Sequence, residues 1–411
     1  MADALHMEFS ARQTPEALVR KVRCKQDSGG PGTEVTYEIV DDSVQESPHV
    51  LDGYLFGLLL HVMGIGLPLH VHGPVSRTAM YNLESVQAFW RLWRPTRYKH
   101  IDIIPDQIVD LERRKTGRRA IAAFSGGVDS TFTVLRHGTR PAGTEVYNLD
   151  TALMVHGFDI NLANRDAFDL ANKRATPFLN KMGVTLRIIR TNIKELGLQN
   201  WEDSHAGQLA SCLHQFSDEF EFGLIASSGS YLDAELPYGS NPVLDHLYSG
   251  DEFGIIYDAA GYPKPEKIAA IAGDLVATAG LRVCWQGRDQ WRNCGRCGKC
   301  IRTWLVLMMS GVPEPSCFDG TFDATAIEAM RIQNIAVWNR VKEVADYAAK
   351  LGVKAAWLRR LHRRISAYRR KQAADALAAN LARALDRVGL KQIVKQGLRG
   401  FASGSRDSVL R

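Results

Sequence analysis

The 411-residue sequence has few cysteines, no internal repeat, no low-complexity tract and no long uninterrupted apolar run. Seven cysteines, four of them within residues 284–300, do not fit the disulfide framework of a secreted protein. The first residues lack the basic start and apolar core of a secretory signal. The most apolar stretch, residues 54–71, contains two histidines, a proline and three glycines, which favours a buried helix–turn–strand over a membrane span. These absences predict a cytoplasmic protein that makes no membrane contact.

Positive charge is concentrated at one end of the chain. The sequence holds 51 Lys+Arg and 45 Asp+Glu, a net charge of +6, yet residues 351–411 contain 15 basic and only 3 acidic residues. Residues 357–371 have apolar side chains at helical spacing, with arginines over most of the remaining surface. Three interpretations of this basic region stay open: binding to nucleic acid phosphates, docking on an acidic protein, or folding against the acidic body of the chain.

The pattern of apolar residues divides the chain into three segments. Residues 1–115 mix strand-like and helix-like patterns and predict an α+β domain whose role the sequence does not indicate. Residues 116–315 alternate short apolar strands with helices, which predicts an α/β fold with a doubly wound parallel sheet. Residues 316–411 predict a helical, basic carboxy-terminal region. The predicted strands of the middle segment are residues 120–124, 151–156, 184–190 and 222–227.

A glycine-rich turn follows the first of these strands. It reads Ser125-Gly126-Gly127-Val128-Asp129-Ser130 and opens a helix. Two glycines let backbone N–H groups approach a phosphate closely, and the helix amino terminus and the serine hydroxyls add to the attraction. The turn lacks both the Gly-Lys-Ser/Thr ending of a Walker loop and the dinucleotide-binding glycine fingerprint. It therefore predicts an anion site of another kind, the alternative being a plain turn with a capping Ser or Asp.

With its preceding strand, this turn resembles the PP-loop of the ATP pyrophosphatase superfamily. The resemblance implies an enzyme that cleaves Mg·ATP between the α- and β-phosphates, adenylates an oxygen of its substrate and releases pyrophosphate. It implies that Asp129 is catalytic and that ATP is held by Ser125, Gly126, Gly127, Asp129 and Ser130. It also implies that Lys267, near the start of a helix after the fourth predicted strand, is a second catalytic residue and reaches the ATP phosphates. The alternative for Lys267 is a solvated lysine at a helix start.

Three weaker candidates lie at or between the later strands. Asp159 follows the second predicted strand and is expected either to bind the nucleotide or Mg²⁺ or to cap a helix. Ser228 and Gly229 follow the fourth strand, where they either hold substrate or AMP or form an ordinary loop. Cys212 lies on a predicted helix between the third and fourth strands and is either a nucleophile or a packing residue.

Four cysteines predict a metal site. Cys284, Cys294, Cys297 and Cys300 have a C-x9-C-x2-C-x2-C spacing, and thiolates at such short intervals can close a tetrahedral zinc site. Gly295 and Gly298 allow tight turns between them. An iron–sulfur cluster uses similar spacing, but it usually occupies an apolar pocket, and this segment is charged. The sequence therefore favours Zn²⁺.

Within the same superfamily, the cysteine cluster is similar to that of 7-cyano-7-deazaguanine synthase, over residues 118–305. That resemblance implies ATP-dependent activation of a deazaguanine carboxylate, attack by ammonia, and a structural zinc near the active site. Two parts depart from that pattern: His156-Gly157-Phe158-Asp159-Ile160 replaces a Tyr-Gly-Gln step, and residues 237–242 replace the family's substrate loop. Relatives also occur in anti-phage gene clusters, where one group is thought to attach a deazaguanine to a protein terminus.

The leading hypothesis is an AMP-forming carbon–nitrogen ligase that uses ATP, Mg²⁺ and Zn²⁺, with a deazaguanine-like carboxylate as substrate. Ammonia or a protein amine is the nitrogen nucleophile. One alternative is a tRNA-modifying enzyme whose basic carboxy-terminal helices hold the RNA. The other is a nucleotide-binding assembly subunit that does not turn over. The sequence leaves a monomer and a homodimer open.

Overall fold

The computed structural model describes residues 3–30, 32–40, 48–113, 117–139, 146–197, 199–284, 286–287 and 289–387. Within them the chain forms ten strands that belong to a single sheet, together with eleven α-helices. The strands are β1 Leu5–Gln13, β2 Leu18–Gln26, β3 Thr33–Ile39, β4 Leu69–Ser76, β5 Ile103–Val109, β6 Arg119–Ala123, β7 Asn148–His156, β8 Thr185–Thr191, β9 Phe222–Ala226 and β10 Gly254–Asp258. The helices are α1 Asp52–Ile65, α2 Arg77–Trp93, α3 Val128–Thr139, α4 Arg165–Lys181, α5 Trp201–His214, α6 Lys264–Ala272, α7 Leu275–Gly280, α8 Gly298–Met309, α9 Ala326–Ala329, α10 Ile335–Lys350 and α11 Ala356–Arg387.

The sheet has two halves with different strand directions. Its order is β10-β9-β6-β7-β8-β3-β2-β1-β4-β5, and every neighbouring pair from β10 to β8 is parallel. We call these five strands the parallel half. From β8 to β1 the pairs are antiparallel, and β1, β4 and β5 are again parallel. The prediction of an α/β fold is confirmed, and the parallel half consists of the strands of residues 116–315, the segment for which a parallel sheet was predicted. The strands of residues 1–115 add the antiparallel pairs.

The four strands predicted in the middle segment are β6 to β9, each within a few residues of its expected ends. The apolar pattern does not predict β10, the edge strand beyond β9. The pattern also predicts a separate domain for residues 1–115. Strands β1 to β5 instead extend the sheet of the parallel half, because Tyr37–Ile39 of β3 pair with 189–191 of β8.

Burial explains why β6 is apolar from Ala120 to its end at Ala123. Ile121 and Ala123 face the large core that also contains side chains of α1 and α5. Ala120 and Ala122 face the other side, where they form a second cluster with Leu224. Because alternate residues of a strand point to opposite faces, a strand covered on both sides needs a continuous apolar run. This burial fixes β6, and with it the turn that follows β6, in the middle of the parallel half.

Helices α1 and α5 pack closely because each presents glycines to the other. A Cβ added to Gly53 would lie 2.4 Å from His214 Cβ, and one added to Gly57 would lie 2.8 Å from Ser211 Cβ. On α5, a Cβ at Gly207 would lie 2.7 Å from the backbone oxygen of Phe56. Residues 54–71 are thus a buried helix, a turn and a strand, as their composition predicts. No helix among the described residues is long and apolar enough to cross a membrane.

The chain divides into two compact units, Met1–Asp323 and Ala324–Arg411. The first unit therefore contains both of the segments that the sequence analysis divided near residue 115. The described part of the second unit, which ends at residue 387, consists of α9, α10 and α11. Within it Trp357 and Leu361 of α11 are buried, as their helical spacing predicts.

Candidate functional site

Residues 125–130, which form the turn after β6 and the start of α3, lie at the carboxyl end of the central parallel strand. We call this segment the glycine loop. Gly126 has φ +73°, a backbone conformation that favours glycine. Ser130 Oγ accepts a hydrogen bond from the backbone N–H of Ser125 at 3.2 Å, and Ser125 Oγ accepts one from Gly127 N–H at 3.3 Å. The hydroxyls of both serines thus lie beside the first turn of α3, where backbone N–H groups favour an anion.

Two lysines of α6 meet Asp129 of the glycine loop. Lys267 is 2% exposed, and its Nζ lies 3.3 Å from Asp129 Oδ1. Lys264 Nζ donates a hydrogen bond to Asp129 Oδ2. Burial by itself raises the pKa of Asp129, but the two lysine charges and their hydrogen bonds outweigh it and hold that pKa below its usual value. Lys267 is therefore not a solvated lysine, and it follows the fifth parallel strand, β10, rather than the fourth.

Lys267 also ties the loop after β9 to this cluster. Its Nζ donates to the backbone oxygen of Ser227 at 2.6 Å and to Ser227 Oγ at 2.7 Å. Gly229, one of the predicted binding residues, exchanges hydrogen bonds of 3.2 Å with the hydroxyl of Tyr257 through both its N–H and its carbonyl. Ser228, which stands between Ser227 and Gly229 in the sequence, is half-buried. This loop borders the glycine loop, and its serine side chain nearest the lysine is that of Ser227.

Arg282 links Asp159 to the glycine loop, and the sequence analysis missed it. Its backbone N–H donates to the Gly126 oxygen at 2.7 Å, and its Nη2 donates to the Ser125 oxygen at 3.1 Å. The same Nη2 lies 3.1 Å from Asp159 Oδ2. Asp159 therefore pairs with an arginine, while Asn164 caps the next helix, so the helix-cap alternative for Asp159 is wrong. Gly126 and Arg282 are 156 positions apart in the sequence, so no local spacing pattern could predict this contact.

Rings collect beside Asp159 at the same edge of the sheet. Phe158 and Trp201 have ring centroids 5.0 Å apart, and His205 and Tyr238 have theirs 4.7 Å apart. His205 also lies 5.8 Å from Trp201, which joins the four rings into one row. Burial lowers the pKa of His205 to about 4, so its ring is neutral at pH 7.

An arginine of the first segment holds this row of rings in place. Arg94 Nη2 donates to the Pro237 oxygen at 3.1 Å and lies 3.3 Å from Asp203 Oδ1. The hydroxyl of Tyr98 donates to the other oxygen of Asp203 at 3.1 Å. The Asp203 side chain is fully buried. Residues 94–98 therefore fix both the first turn of α5 and the chain leading to Tyr238.

The four predicted metal ligands converge. Their sulfur atoms all lie within 4.8 Å of one another, and four pairs are separated by 3.4, 3.8, 3.5 and 3.5 Å. A tetrahedral zinc with Zn–S bonds of about 2.3 Å places its sulfurs about 3.8 Å apart. The cluster of Cys284, Cys294, Cys297 and Cys300 can thus hold a metal ion such as zinc.

Backbone geometry around the sulfurs also suits thiolate ligands. The N–H groups of Gln286 and Cys297 donate to the sulfurs of Cys284 and Cys294 at 3.2 and 3.3 Å. Gly295 has φ +70°, which the tight turn between two ligands requires. The N–H donors offset the negative charge of thiolates. Cys284 is two residues after Arg282, so the four-cysteine cluster lies next to the segment that touches the glycine loop.

Cys212 does not join the site. It is fully buried in the large core, and this burial raises the pKa of its thiol above the usual value. A buried, protonated thiol is inert. Cys212 is therefore a packing residue of α5 and is not placed to act as a nucleophile.

Comparison with known proteins finds no matching family model, no matching curated protein and no matching solved structure.

Proposed function

We propose that the protein is an ATP-dependent ligase that activates a substrate carboxylate as its adenylate and transfers the acyl group to a nitrogen nucleophile. The fold assignment behind this proposal is the PP-loop ATP pyrophosphatase superfamily. The observation that carries it is the meeting of Asp129, Lys264 and Lys267 at the glycine loop, since it joins an anion-binding turn, a carboxylate and two cations at the carboxyl edge of parallel strands.

The residues of the glycine loop have the right chemistry for pyrophosphate. Backbone N–H groups at the start of α3 and the hydroxyls of Ser125 and Ser130 can bind phosphate oxygens. Lys264 and Lys267 can neutralise the charge that develops on the leaving pyrophosphate. Both lysines contact the carboxylate of Asp129. A bound polyphosphate would replace some of these contacts with ion pairs between the lysines and its phosphate oxygens.

Asp129 is the residue that would hold Mg²⁺. Its carboxylate is ionised, because the two lysines hold its pKa below the usual value despite burial. Mg²⁺ prefers one or two carboxylates together with phosphate oxygens. The metal would supply charge neutralisation at the α- and β-phosphates.

In the proposed reaction an oxygen of the substrate carboxylate attacks the α-phosphorus of ATP, and the bond from that phosphorus to the bridging oxygen of pyrophosphate breaks. The nitrogen nucleophile then attacks the acyl carbon, loses a proton and displaces AMP. The row of rings from Phe158 to Tyr238 favours a planar substrate, and it supports a deazaguanine-like carboxylate as the first compound to test.

Product analysis tests this function. The full chain is incubated with Mg·ATP, 7-carboxy-7-deazaguanine and ammonia, and small molecules are identified by mass spectrometry. We expect AMP and pyrophosphate together with an amide or nitrile. AMP without these products keeps the activation chemistry and directs the search to a protein or RNA acceptor. Formation of ADP alone contradicts the proposed function.

Two variants show whether the products come from the glycine loop. Asp129→Ala removes the carboxylate that meets both lysines, and we expect it to abolish AMP formation. Asp169→Ala removes an exposed carboxylate from the surface of α4 and is the matched control. Equal AMP formation by the two variants would contradict the assignment of the site. Binding of ATP without AMP from any acceptor would favour the non-catalytic assembly subunit.

A further inference from the structure

A group of arginines on α11 forms a cationic surface within the second compact unit. Residues 354–371 contain eight Lys and Arg and no Asp or Glu. Arg359, Arg363 and Arg370 are exposed. At 100° and 1.5 Å per residue they fall within about 40° of one another and span about 16 Å along the helix. We call this stripe the arginine face.

The opposite side of α11 is already occupied by its own unit. Trp357 and Leu361 are buried, and the ring of Tyr368 stacks on Trp338 of α10 with centroids 6.3 Å apart. The Trp338 indole N–H donates to the Ile365 oxygen at 3.1 Å. Because this apolar side is packed against α10, the arginine-bearing part of α11 has no apolar side left to insert into a lipid surface.

Other arginines of α11 have structural partners, which sets the arginine face apart. Arg360 pairs with Glu328, and Arg364 donates to the Met330 oxygen. The guanidinium of Arg369 lies over the Trp338 ring, 4.7 Å from its centroid. These three arginines contact other residues of the unit, whereas Arg359, Arg363 and Arg370 form the exposed arginine face.

We propose that the arginine face binds the phosphate backbone of a nucleic acid. Arginine matches phosphate geometry with two parallel hydrogen bonds. A row about 16 Å long is long enough to reach several phosphates of a duplex, in which each strand carries one phosphate per about 3.4 Å of the duplex axis. A protein interface needs buried apolar anchors at its centre, and the arginine face has none between Arg359 and Arg370. Leu377 and Leu381 continue the same side without charge, so the phosphate-binding stretch ends at Arg370.

Binding measurements on the full chain test the proposal. Labelled RNA duplex, DNA duplex and single-stranded RNA are titrated at several salt concentrations, with anisotropy as the readout. The variant Arg359→Gln/Arg363→Gln/Arg370→Gln is compared with Arg12→Gln/Arg91→Gln/Arg331→Gln, which removes three exposed arginines elsewhere. Circular dichroism checks that both remain folded. The test requires no ATP and no substrate, so it is independent of the proposed ligase function.

We expect the first variant to lose at least about tenfold in affinity and its salt slope to fall by about two to three, while the control keeps the native slope. The nucleic acid that binds best distinguishes RNA from DNA. Equal losses in both variants would show a general charge effect and overturn the proposal. No binding to nucleic acid, with binding to an acidic polypeptide or to anionic vesicles instead, would also overturn it.

Discussion

The two halves of the sheet differ in how they arrange their charged and hydroxyl side chains. In the parallel half, the loops after β6, β7, β9 and β10 all reach one edge, so Asp129, Asp159, Ser227 and Lys267 come together there although they are distant in sequence. Strands β1 to β5, which with α1 and α2 we call the mixed half, include two antiparallel pairs and bring no comparable cluster to that edge within the described residues. Parallel strands thus gather a site, and the mixed half supports it.

The mixed half supports the candidate site through buried contacts with α5. The guanidinium of Arg20 on β2 is buried and donates to the backbone oxygen and to Oε1 of Gln215, just after α5, at 3.1 and 3.0 Å. Arg94 and Tyr98 hold Asp203 at the start of the same helix. Helix α5 in turn bears two of the rings beside Asp159. We therefore expect substitutions at the site in the parallel half to lower nucleotide affinity, and substitutions in the mixed half to lower the free energy of unfolding.

The largest expected effect is on nucleotide binding by the parallel half. Lys267→Met removes the buried cation that joins Asp129 to Ser227. We expect Mg·ATP affinity to fall about 10- to 100-fold, since a hydrogen bond to a charged group contributes about 1.5–3 kcal/mol. Calorimetric titration measures it, with Lys173→Met, an exposed lysine of α4, as the control. If Lys267→Met binds Mg·ATP with native affinity, the phosphates of ATP do not bind beside Lys267.

The next effect concerns the metal cluster. Cys297→Ala removes one of four converging sulfurs, and we expect the purified chain to lose its zinc and to unfold at lower urea. Cys24→Ala removes a buried sulfur of β2 and should retain one zinc per chain. Metal content by mass spectrometry and urea unfolding report the two results. Zinc retained by Cys297→Ala would contradict the four-sulfur site.

A glycine on α1 of the mixed half tests whether a change there lowers stability without lowering nucleotide affinity. Gly57→Ala introduces a Cβ that would lie 2.7 Å from Ile193 Cδ1 and 2.8 Å from Ser211 Cβ. We expect the free energy of unfolding to fall by about 1–3 kcal/mol, because a tightly packed core resists added volume. Mg·ATP affinity of the folded protein should stay native. A large loss of affinity would show that α1 shapes the site directly.

The smallest effect is a pH dependence. His214 is buried, donates to the Tyr248 oxygen at 2.8 Å, and burial lowers its pKa to about 4. In the unfolded chain its pKa is about 6.5, so between these values the unfolded state binds the extra proton and stability falls as pH falls. From pH 6.5 to 5 this amounts to about 1–2 kcal/mol.

Urea unfolding at pH 7 and pH 5 measures this contribution. His214→Leu removes the titrating ring, and we expect its stability to change less between the two pH values than that of the native chain. His246→Gln removes an exposed histidine and should behave like the native chain. An unchanged pH dependence in His214→Leu would show that His214 does not titrate in the unfolding reaction.

Local sequence patterns predicted much of the parallel half. Short apolar strands, the glycines of the loop and the spacing of four cysteines are signals within a few residues, and β6 to β9, the glycine loop and the sulfur cluster are found as expected. Contacts that depend on chain topology left no such signal. Lys264 and Arg282 meet the glycine loop only after five strands are aligned.

The mixed half shows the same limit. The alternating residues 35–40 are typical of a strand, but this pattern does not show that the last residues of β3 pair with β8 and join two predicted domains into one sheet. Strand pairing between distant segments is decided by backbone hydrogen bonds and burial of whole faces, which alternation within one strand does not reveal. For the same reason β10 and the pairing of β1 with β4 were missed.

Binding of Mg·pyrophosphate to the full chain tests most directly whether the glycine loop is a pyrophosphate site, because it needs neither the acyl substrate nor the nitrogen donor. The measurement is a calorimetric titration of the native chain and of Lys264→Met, which removes the second cation beside Asp129. We expect pyrophosphate to bind the native chain, to displace ATP, and to bind Lys264→Met at least about tenfold more weakly. Equal affinity for the two proteins, or no competition with ATP, would contradict a pyrophosphate site at the glycine loop.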